Sequence, residues 1–157
     1  MVRFAASRFQ LRRLAIALAL LIVGGLWMLP VRAQQDSADV LLARAQVLLK
    51  KDNFSGALLS LSMGIGRYPK DARLYAARGN AYNGLKKFKE AVADFNRALA
   101  SPAKDADWYF RRGWAYDQLS DFAASTADYE KYLSFRPDNA LAWYCLCLLY
   151  TSPSPRD

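Results

Sequence analysis

Tyr75-x-x-Arg78-Gly79-x-Ala81-Tyr82-x-x-Leu85-x-x-Phe88-x-x-x-x-x-Asp94-Phe95 returns 34 residues later as Tyr109, Arg112, Gly113, Ala115, Tyr116, Leu119, Phe122, Asp128 and Tyr129. Type and spacing both return. Subtracting 34 exposes a weaker copy in which Leu41, Arg44, Ala45, Leu48, Phe54, Ala57, Leu61 and Pro69 fill the same slots. Adding 34 to the last copy places Trp143, Leu146, Cys147 and Tyr150 in corresponding slots. The chain is therefore phased into units 38–71, 72–105 and 106–139, with a fourth beginning at Ala140. A fixed period near 34 is the mark of stacked helix-turn-helix units.

Inside a unit the apolar positions follow helical spacing. Phe88, Ala91, Val92, Phe95, Ala98 and Leu99 fall on one face of an amphipathic helix. Its partner carries Tyr75, Gly79, Tyr82 and Leu85 on one side. Small residues at Gly79 and Ala91, and at Gly113 and Ser125, allow two helices to approach closely while aromatics fill the gap to the next unit. No unit can bury such a face alone, so the units must stack. Asp71 and Asp105 stand where a side-chain oxygen caps the first helix of a unit, and Pro69, Pro102 and Pro137 where the second must stop. Arg44, Arg78 and Arg112 share one slot, and Asp94 and Asp128 another. Their spacing predicts structural ion pairs or arginine stems lying over apolar surface rather than a ligand-binding ladder. At the exposed-pair value of about 0 to 1 kcal/mol, truncating Arg78 should cost less than truncating Tyr82 or Phe88, at about 3 to 5 kcal/mol for a buried aromatic.

On these residues the chain resembles the tetratricopeptide repeat (TPR) family. The resemblance covers about two thirds of the sequence in three consecutive phases. It implies an all-α, right-handed superhelical solenoid of three complete repeats plus the first helix of a fourth. Tyr75, Gly79, Tyr82, Phe88, Ala91, Phe95, Tyr109, Gly113, Tyr116, Phe122 and Tyr129 would do the repeat packing. It also implies a concave groove lined by slots two, five, nine and twelve of each unit. Those slots hold Asp39, Leu42, Gln46 and Leu49, then Arg73, Ala76, Asn80 and Asn83, then Asp107, Phe110, Trp114 and Asp117. Asn80 and Asn83 suit an extended peptide backbone, and Phe110 with Trp114 suits an aromatic anchor. Trp114 equally fits packing against a fourth unit. Some family members clamp an acidic tail with Lys, Asn and Arg in these slots. Here slot five holds Leu42 or Ala76 and slot two of the third unit holds Asp107, so only Asn80 and Arg111 match the clamp and an anionic tail is not expected.

The formal charge of +8 invites a nucleic-acid reading until it is divided along the chain. Five of the 22 basic residues, Arg3, Arg8, Arg12, Arg13 and Arg32, precede Gln34, and no acid does. The remainder carries 17 basic and 14 acidic residues, a net of +3, interspersed. That is too little for the counterion release that drives nucleic-acid binding. The N-terminal segment reads as an address: a basic start, an apolar run from Leu14 to Leu29, then Val31-Arg32-Ala33. These are the parts of a secretory signal peptide, residues 1–33, with cleavage expected after Ala33. The run is short for a membrane span and interrupted by Gly24-Gly25. An uncleaved signal anchor is the competing reading and gives the only membrane contact; both place the repeats on the same side. In a Gram-negative source that side is the periplasm. No cysteine follows the run for lipid attachment, and the residues around Arg12-Arg13 fit a twin-arginine signal poorly, which favours the general secretory route.

At the other end, residues 147–157 resemble a translated reading frame of a transposon-end sequencing adapter and are set apart from fold reasoning. The start of a fourth repeat is then 140–146, and the natural chain is expected to continue beyond it. A chain stopping at Trp143, Tyr144 and Leu146 would lack the polar outer face of a terminal unit.

For chemistry the residues offer little. There is no histidine, and Cys145 and Cys147 have no further ligands at metal-site spacing. No nucleophile with its base, no paired acid–base carboxylates and no phosphate-cradling glycine loop appears, so neither catalysis nor a cofactor is expected. A protein-interaction scaffold of the cell envelope, holding a peptide or partner protein in the groove, is the leading reading. The alternatives are a docking or regulatory module of a larger enzyme whose catalytic domain lies elsewhere, and a structural array that multimerises through its edges.

Overall fold

The computed structural model describes residues 37–102 and 105–151; the expected signal segment and residues 152–157 lie outside the described residues. Seven helices follow one another among them: α1 (Ala38–Lys50), α2 (Phe54–Arg67), α3 (Ala72–Gly84), α4 (Phe88–Leu99), α5 (Ala106–Gln118), α6 (Phe122–Phe135) and α7 (Ala140–Thr151). The first helices of successive units begin at 38, 72, 106 and 140, so the sequence period is also the period of the backbone. None of the described helices is long and apolar enough to cross a membrane.

The local chemistry that starts and stops these helices repeats as well. Ser37 Oγ accepts from the Val40 amide at 3.4 Å, and Asp71 and Asp105 accept from Arg73 and Asp107 at 3.0 Å. Asn139 Oδ1 does the same for Ala142 at 3.0 Å. Each position is an N-cap, satisfying an amide that the helix leaves without a partner. Within each unit the turn between helices is a Schellman closure. The Lys87 amide donates to the Tyr82 carbonyl at 2.9 Å and the Lys86 amide to Asn83 at 3.0 Å; Asn53 and Asp121 donate equivalently to Leu48 and Tyr116, both at 2.9 Å. The residue that turns the chain is left-handed in all three units, Asp52 at φ 55°, Lys86 at φ 58° and Ser120 at φ 60°. None is glycine, so each unit holds a strained residue that the paired turn bonds keep in place.

Helices pack in chain order, each on the next, while α1, α3 and α5 also touch one another along one side. The result is a helical solenoid whose first helices share an inner surface. Its core is not divided by unit. One cluster joins Leu42, Ala45, Ala57 and Leu61 to Leu74, Ala77 and Ala81; a second joins Tyr75, Phe95 and Leu99 to Trp108 and Ala115. A third unites Tyr129, Tyr132 and Leu133 with Ala142 and Leu146. Every cluster straddles a unit boundary, which couples the stability of neighbours. Gly79 allows one of these close contacts, since a β-carbon there would sit 3.0 Å from the Phe95 ring. At Gly113 it would meet Asp128 and Tyr129 at 3.2 and 3.3 Å. Tyr75, Ala91, Phe95 and Tyr129 are buried, whereas Tyr82, Phe88, Tyr109, Tyr116 and Phe122 are half-buried along the seam.

The recurrent arginines are structural ion pairs, but of a different weight from the expectation. Arg78 grips Asp94 through Nε and Nη2 at 2.7 and 2.8 Å, and Arg112 grips Asp128 at 2.7 and 2.6 Å. Asp94 and Asp128 are only 4% and 5% exposed. Each arginine also reaches back to the preceding unit, Arg78 to Ser62 at 3.4 Å and Arg112 to Asn96 at 2.6 Å. Flanking tyrosines hold the guanidinium from two sides, with Arg78 5.8 Å from the Tyr75 and Tyr82 ring centres. The exposed-pair value therefore does not apply, because removing Arg78 strands a buried carboxylate. The reason for ranking Arg78 below the half-buried Tyr82 and Phe88 therefore no longer holds, since breaking a buried pair costs about 3 to 5 kcal/mol.

Helix α7 runs on through Cys147–Thr151, past the point at which the sequence predicts that the fourth unit breaks off. Leu148, Leu149 and Tyr150 hold no helix breaker, and the nearest is Pro153, which disfavours helix at the residue before it. Tyr150 donates to Glu130 of α6 at 3.1 Å. Cys145 is half-buried, Cys147 is exposed, and both are free thiols.

Candidate functional site: the inner groove

Because α1, α3 and α5 lie side by side, the residues on their shared face form a furrow of two adjoining clefts. The first, of ≈ 380 Å³, is walled by Asp39, Leu42, Gln46 and Leu49 of α1 and by Arg73, Ala76 and Asn80 of α3, with Trp108 at its far side. The second, of ≈ 470 Å³, lies between α3 and α5 and is walled by Asn80, Asn83, Phe110 and Trp114, with Leu141 and Cys145 of α7. Asn80 belongs to both, so the clefts are one continuous surface. Of the groove residues expected from the sequence, Asp107 and Asp117 line neither cleft; Asp107 is exposed and Asp117 half-buried.

Arg73 does not enter the first cleft as a free cation. Its Nη1 donates to Asp39 at 2.7 Å, and its Nη2 and Nε donate to the two oxygens of Asp71 at 2.7 and 3.0 Å. The hydrogen bond from Arg73 holds the Asp71 carboxyl below its ordinary pKa, against the opposing effect of burial. Two carboxylates therefore occupy one guanidinium, and its donors are directed at them.

In the second cleft the asparagines differ from the simple expectation of two free amides. Asn83 is only 8% exposed, and its Nδ2 donates to the Arg111 carbonyl on the next unit at 3.1 Å. That bond fixes the amide orientation, since reversing it would set two oxygens against each other. Asn83 Oδ1 is left buried without a donor, and so is Asn80 Oδ1. Unpaired buried acceptors are costly, which favours any side-chain turn that brings one to a donor.

The aromatic pair is divided between two tasks. Phe110 lies 5.4 Å from Tyr129 and 5.1 Å from Tyr132 and belongs to the third core cluster. Trp114 packs edge-on against Phe88 of the preceding unit, at 5.4 Å and 81°, and remains 37% exposed. It leans backwards along the array, while Leu141 and Cys145 of the fourth unit form the opposite wall of its cleft. The lining residues missed from the sequence include three of slot six, Ala43, Ala77 and Cys145, together with Gly84, Asp105 and Trp108. Extending the slot rule to the fourth unit would also have found Leu141, which stands 34 residues after Asp107. Among the described residues no group of three or more metal-ligating side chains converges.

Comparison with known proteins bears on the frame that carries this furrow. The first TPR domain of human RPAP3, solved by NMR, is 30% identical, covers 73% of this chain and 91% of its own, and superposes with a TM-score of 0.69. The first TPR of Spaghetti (RPAP3), solved with the HSP90 peptide SRMEEVD, is 28% identical over 78% of this chain and 97% of its own, with a TM-score of 0.71. The Arabidopsis OM64 TPR domain shares the fold at 23% identity over 74% of this chain and 96% of its own, with a TM-score of 0.70. No curated protein matches the chain. A sequence profile described as Tetratricopeptide repeat matches residues 42–107 and again 76–140, so that two overlapping matches span the three units, and the chain belongs to the tetratricopeptide repeat family.

Proposed function

We propose that this protein is an exported interaction scaffold of the cell envelope that holds an extended peptide, or a segment of a partner protein, along the inner face of α1, α3 and α5. The observation that carries the reading is the second cleft. There a partly exposed Trp114 stands beside Asn80 and Asn83, whose buried acceptors have no donor. Exposed tryptophan in a concave, partly desolvated site is the residue type from which interface hot spots are made. A related repeat domain solved with a bound peptide supports a peptide-holding role. The basic and apolar N-terminal segment supports export, by cleavage after Ala33 or by retention as an anchor.

The test is recovery of a partner from the envelope fraction by the intact protein and by a Trp114→Ala/Asn80→Ala variant shown by circular dichroism to remain helical. The variant is expected to lose most of the recovered partner. Equal recovery by both would remove the groove from the account.

A further inference from the structure

Building on the groove reading, we infer that the occupant is an extended segment pairing a bulky apolar side chain with a lysine or arginine, and that acidic segments are rejected. Three features of the furrow converge on that chemistry. The first cleft carries Asp39 and Asp105 against Arg73, two carboxylates to one guanidinium. Arg73 is moreover shared with Asp71, so none of its charge is left for an anion. A peptide carboxylate placed there would meet uncompensated acid, whereas an ammonium or guanidinium would restore neutrality.

The second feature is the sense of the unpaired hydrogen-bonding groups. Asn83 Oδ1 and Asn80 Oδ1 are acceptors without donors, and Asn83 Nδ2 already donates to the Arg111 carbonyl. A ligand carboxylate brings more acceptors and satisfies neither oxygen. Backbone N–H groups of an extended strand, or an amino group, are of the matching sense, and half-buried Asn80, which is not tied as Asn83 is, can turn its oxygen to one.

The third feature is the second cleft itself, where Trp114, Phe110 and Leu141 make an apolar seat. Its cation is Arg111, whose side chain is exposed. With acid around the first cleft and a cation beside the second, the furrow is polarised along its length. The ligand's cation is therefore placed toward α1, and its apolar side chain on Trp114.

Fluorescence anisotropy on the full-length chain decides the matter, using blocked, dye-labelled hexapeptides that share a Leu-Phe pair. Two lysines precede the pair in one peptide and follow it in another; matched peptides carry two glutamates or two serines in those places. One lysine order is expected to bind roughly tenfold more tightly than either glutamate peptide, with a preference that shrinks as salt rises. Asp39→Asn with Asp105→Asn should bring that lysine peptide to the affinity that its serine counterpart has for the same variant. Asparagine keeps the helix cap at residue 105, so loss of fold is not expected to intervene. If glutamate peptides bind as well as lysine peptides or better, the charge assignment is overturned while groove binding stands. If no peptide binds at millimolar concentration, the groove reading falls with it.

Discussion

The first unit and the two that follow it build the same helix pair from different interior chemistry. In units two and three the inner helix presents glycine to an aromatic, Gly79 to Phe95 and Gly113 to Tyr129. In unit one the same slots hold Ala45 and Leu61, both fully buried in one cluster. Small faces large in the later units and medium faces medium in the first, so the summed volume at the helix crossing is kept while its parts change. The arginine slot differs in a second way. Arg78 and Arg112 are locked to buried aspartates, but Arg44 has Ser60 in the aspartate slot and is exposed. The lock also grips the second helix of the preceding unit, and among the described residues no helix precedes unit one. Volume matching and the ion pair are thus both made inside a unit, and from that pair the arginine adds one hydrogen bond across the joint to the unit before it.

The sharpest way to break this comparison is to remove the arginines one at a time. Arg78→Ala leaves Asp94 buried without its partner and is expected to destabilise by about 3 kcal/mol. Arg44→Ala should fall within about 0.5 kcal/mol of the parent, as exposed substitutions generally do. Urea denaturation followed by circular dichroism measures both. Similar midpoints for the two variants would show that burial of the paired aspartate contributes nothing to the stability of the array.

Transplanting the volume arrangement is the next largest test. Gly79→Ala alone puts a methyl 3.0 Å from the Phe95 ring and should cost about 1 to 3 kcal/mol, the range for overpacking. Adding Phe95→Leu reproduces the pair found in unit one and should recover part of that loss. The double-mutant cycle is expected to give a favourable coupling of about 0.5 kcal/mol or more. Strict additivity would mean that the two slots are independent and the resemblance to Ala45 and Leu61 accidental.

A smaller effect sits at the starts of the second helices. Asn53 and Asp121 cap α2 and α6 by accepting from Gly56 and Ala124 at 3.0 and 3.2 Å, whereas Lys87 offers α4 no side-chain cap. Lys87→Asp should therefore stabilise by about 1 kcal/mol, seen as a higher thermal midpoint. An unchanged midpoint would point to compensating strain at the left-handed Lys86 beside it.

What the sequence made legible follows from what a period can carry. Any feature that recurs every 34 residues is read several times over, so the units, the Asp71 and Asp105 caps, and the inner placement of Asn80 and Trp114 were all accessible. Features that occur once, or that depend on depth, were not. The bond from Asn83 to the Arg111 carbonyl crosses a joint where the matching slots of the other units hold Leu49 and Asp117, neither of which has an amide to donate. Trp114 finds Phe88 because it alone is large in a slot otherwise held by Gln46 and Asn80. The arginine–aspartate pairs recur, yet spacing alone cannot tell a solvated pair from one whose carboxylate is 4% exposed. The left-handed turn recurs too, but through Asp52, Lys86 and Ser120 it carries no glycine to announce it.

The smallest predicted difference between units is a response to acid. Ser37 caps α1 with a hydroxyl that does not titrate in this range, whereas Asp71 caps α3 with a carboxylate that also holds Arg73. Because the Asp71 pKa is lowered from its ordinary 3.8 in the folded chain, protonation favours the unfolded state. Its contribution is complete above pH 3.8 and disappears as pH falls through the lower folded value. Asp71→Ser keeps a capping oxygen and gives up the ion pair, so it should cost little near neutrality, below about 1 kcal/mol for a pair whose arginine is largely exposed. The variant and the parent should then converge in stability below pH 3.8, with the variant's curve the flatter of the two. Curves that stay parallel through that window would mean Asp71 acts as a cap alone, and that its grip on Arg73, two residues along, contributes nothing to stability.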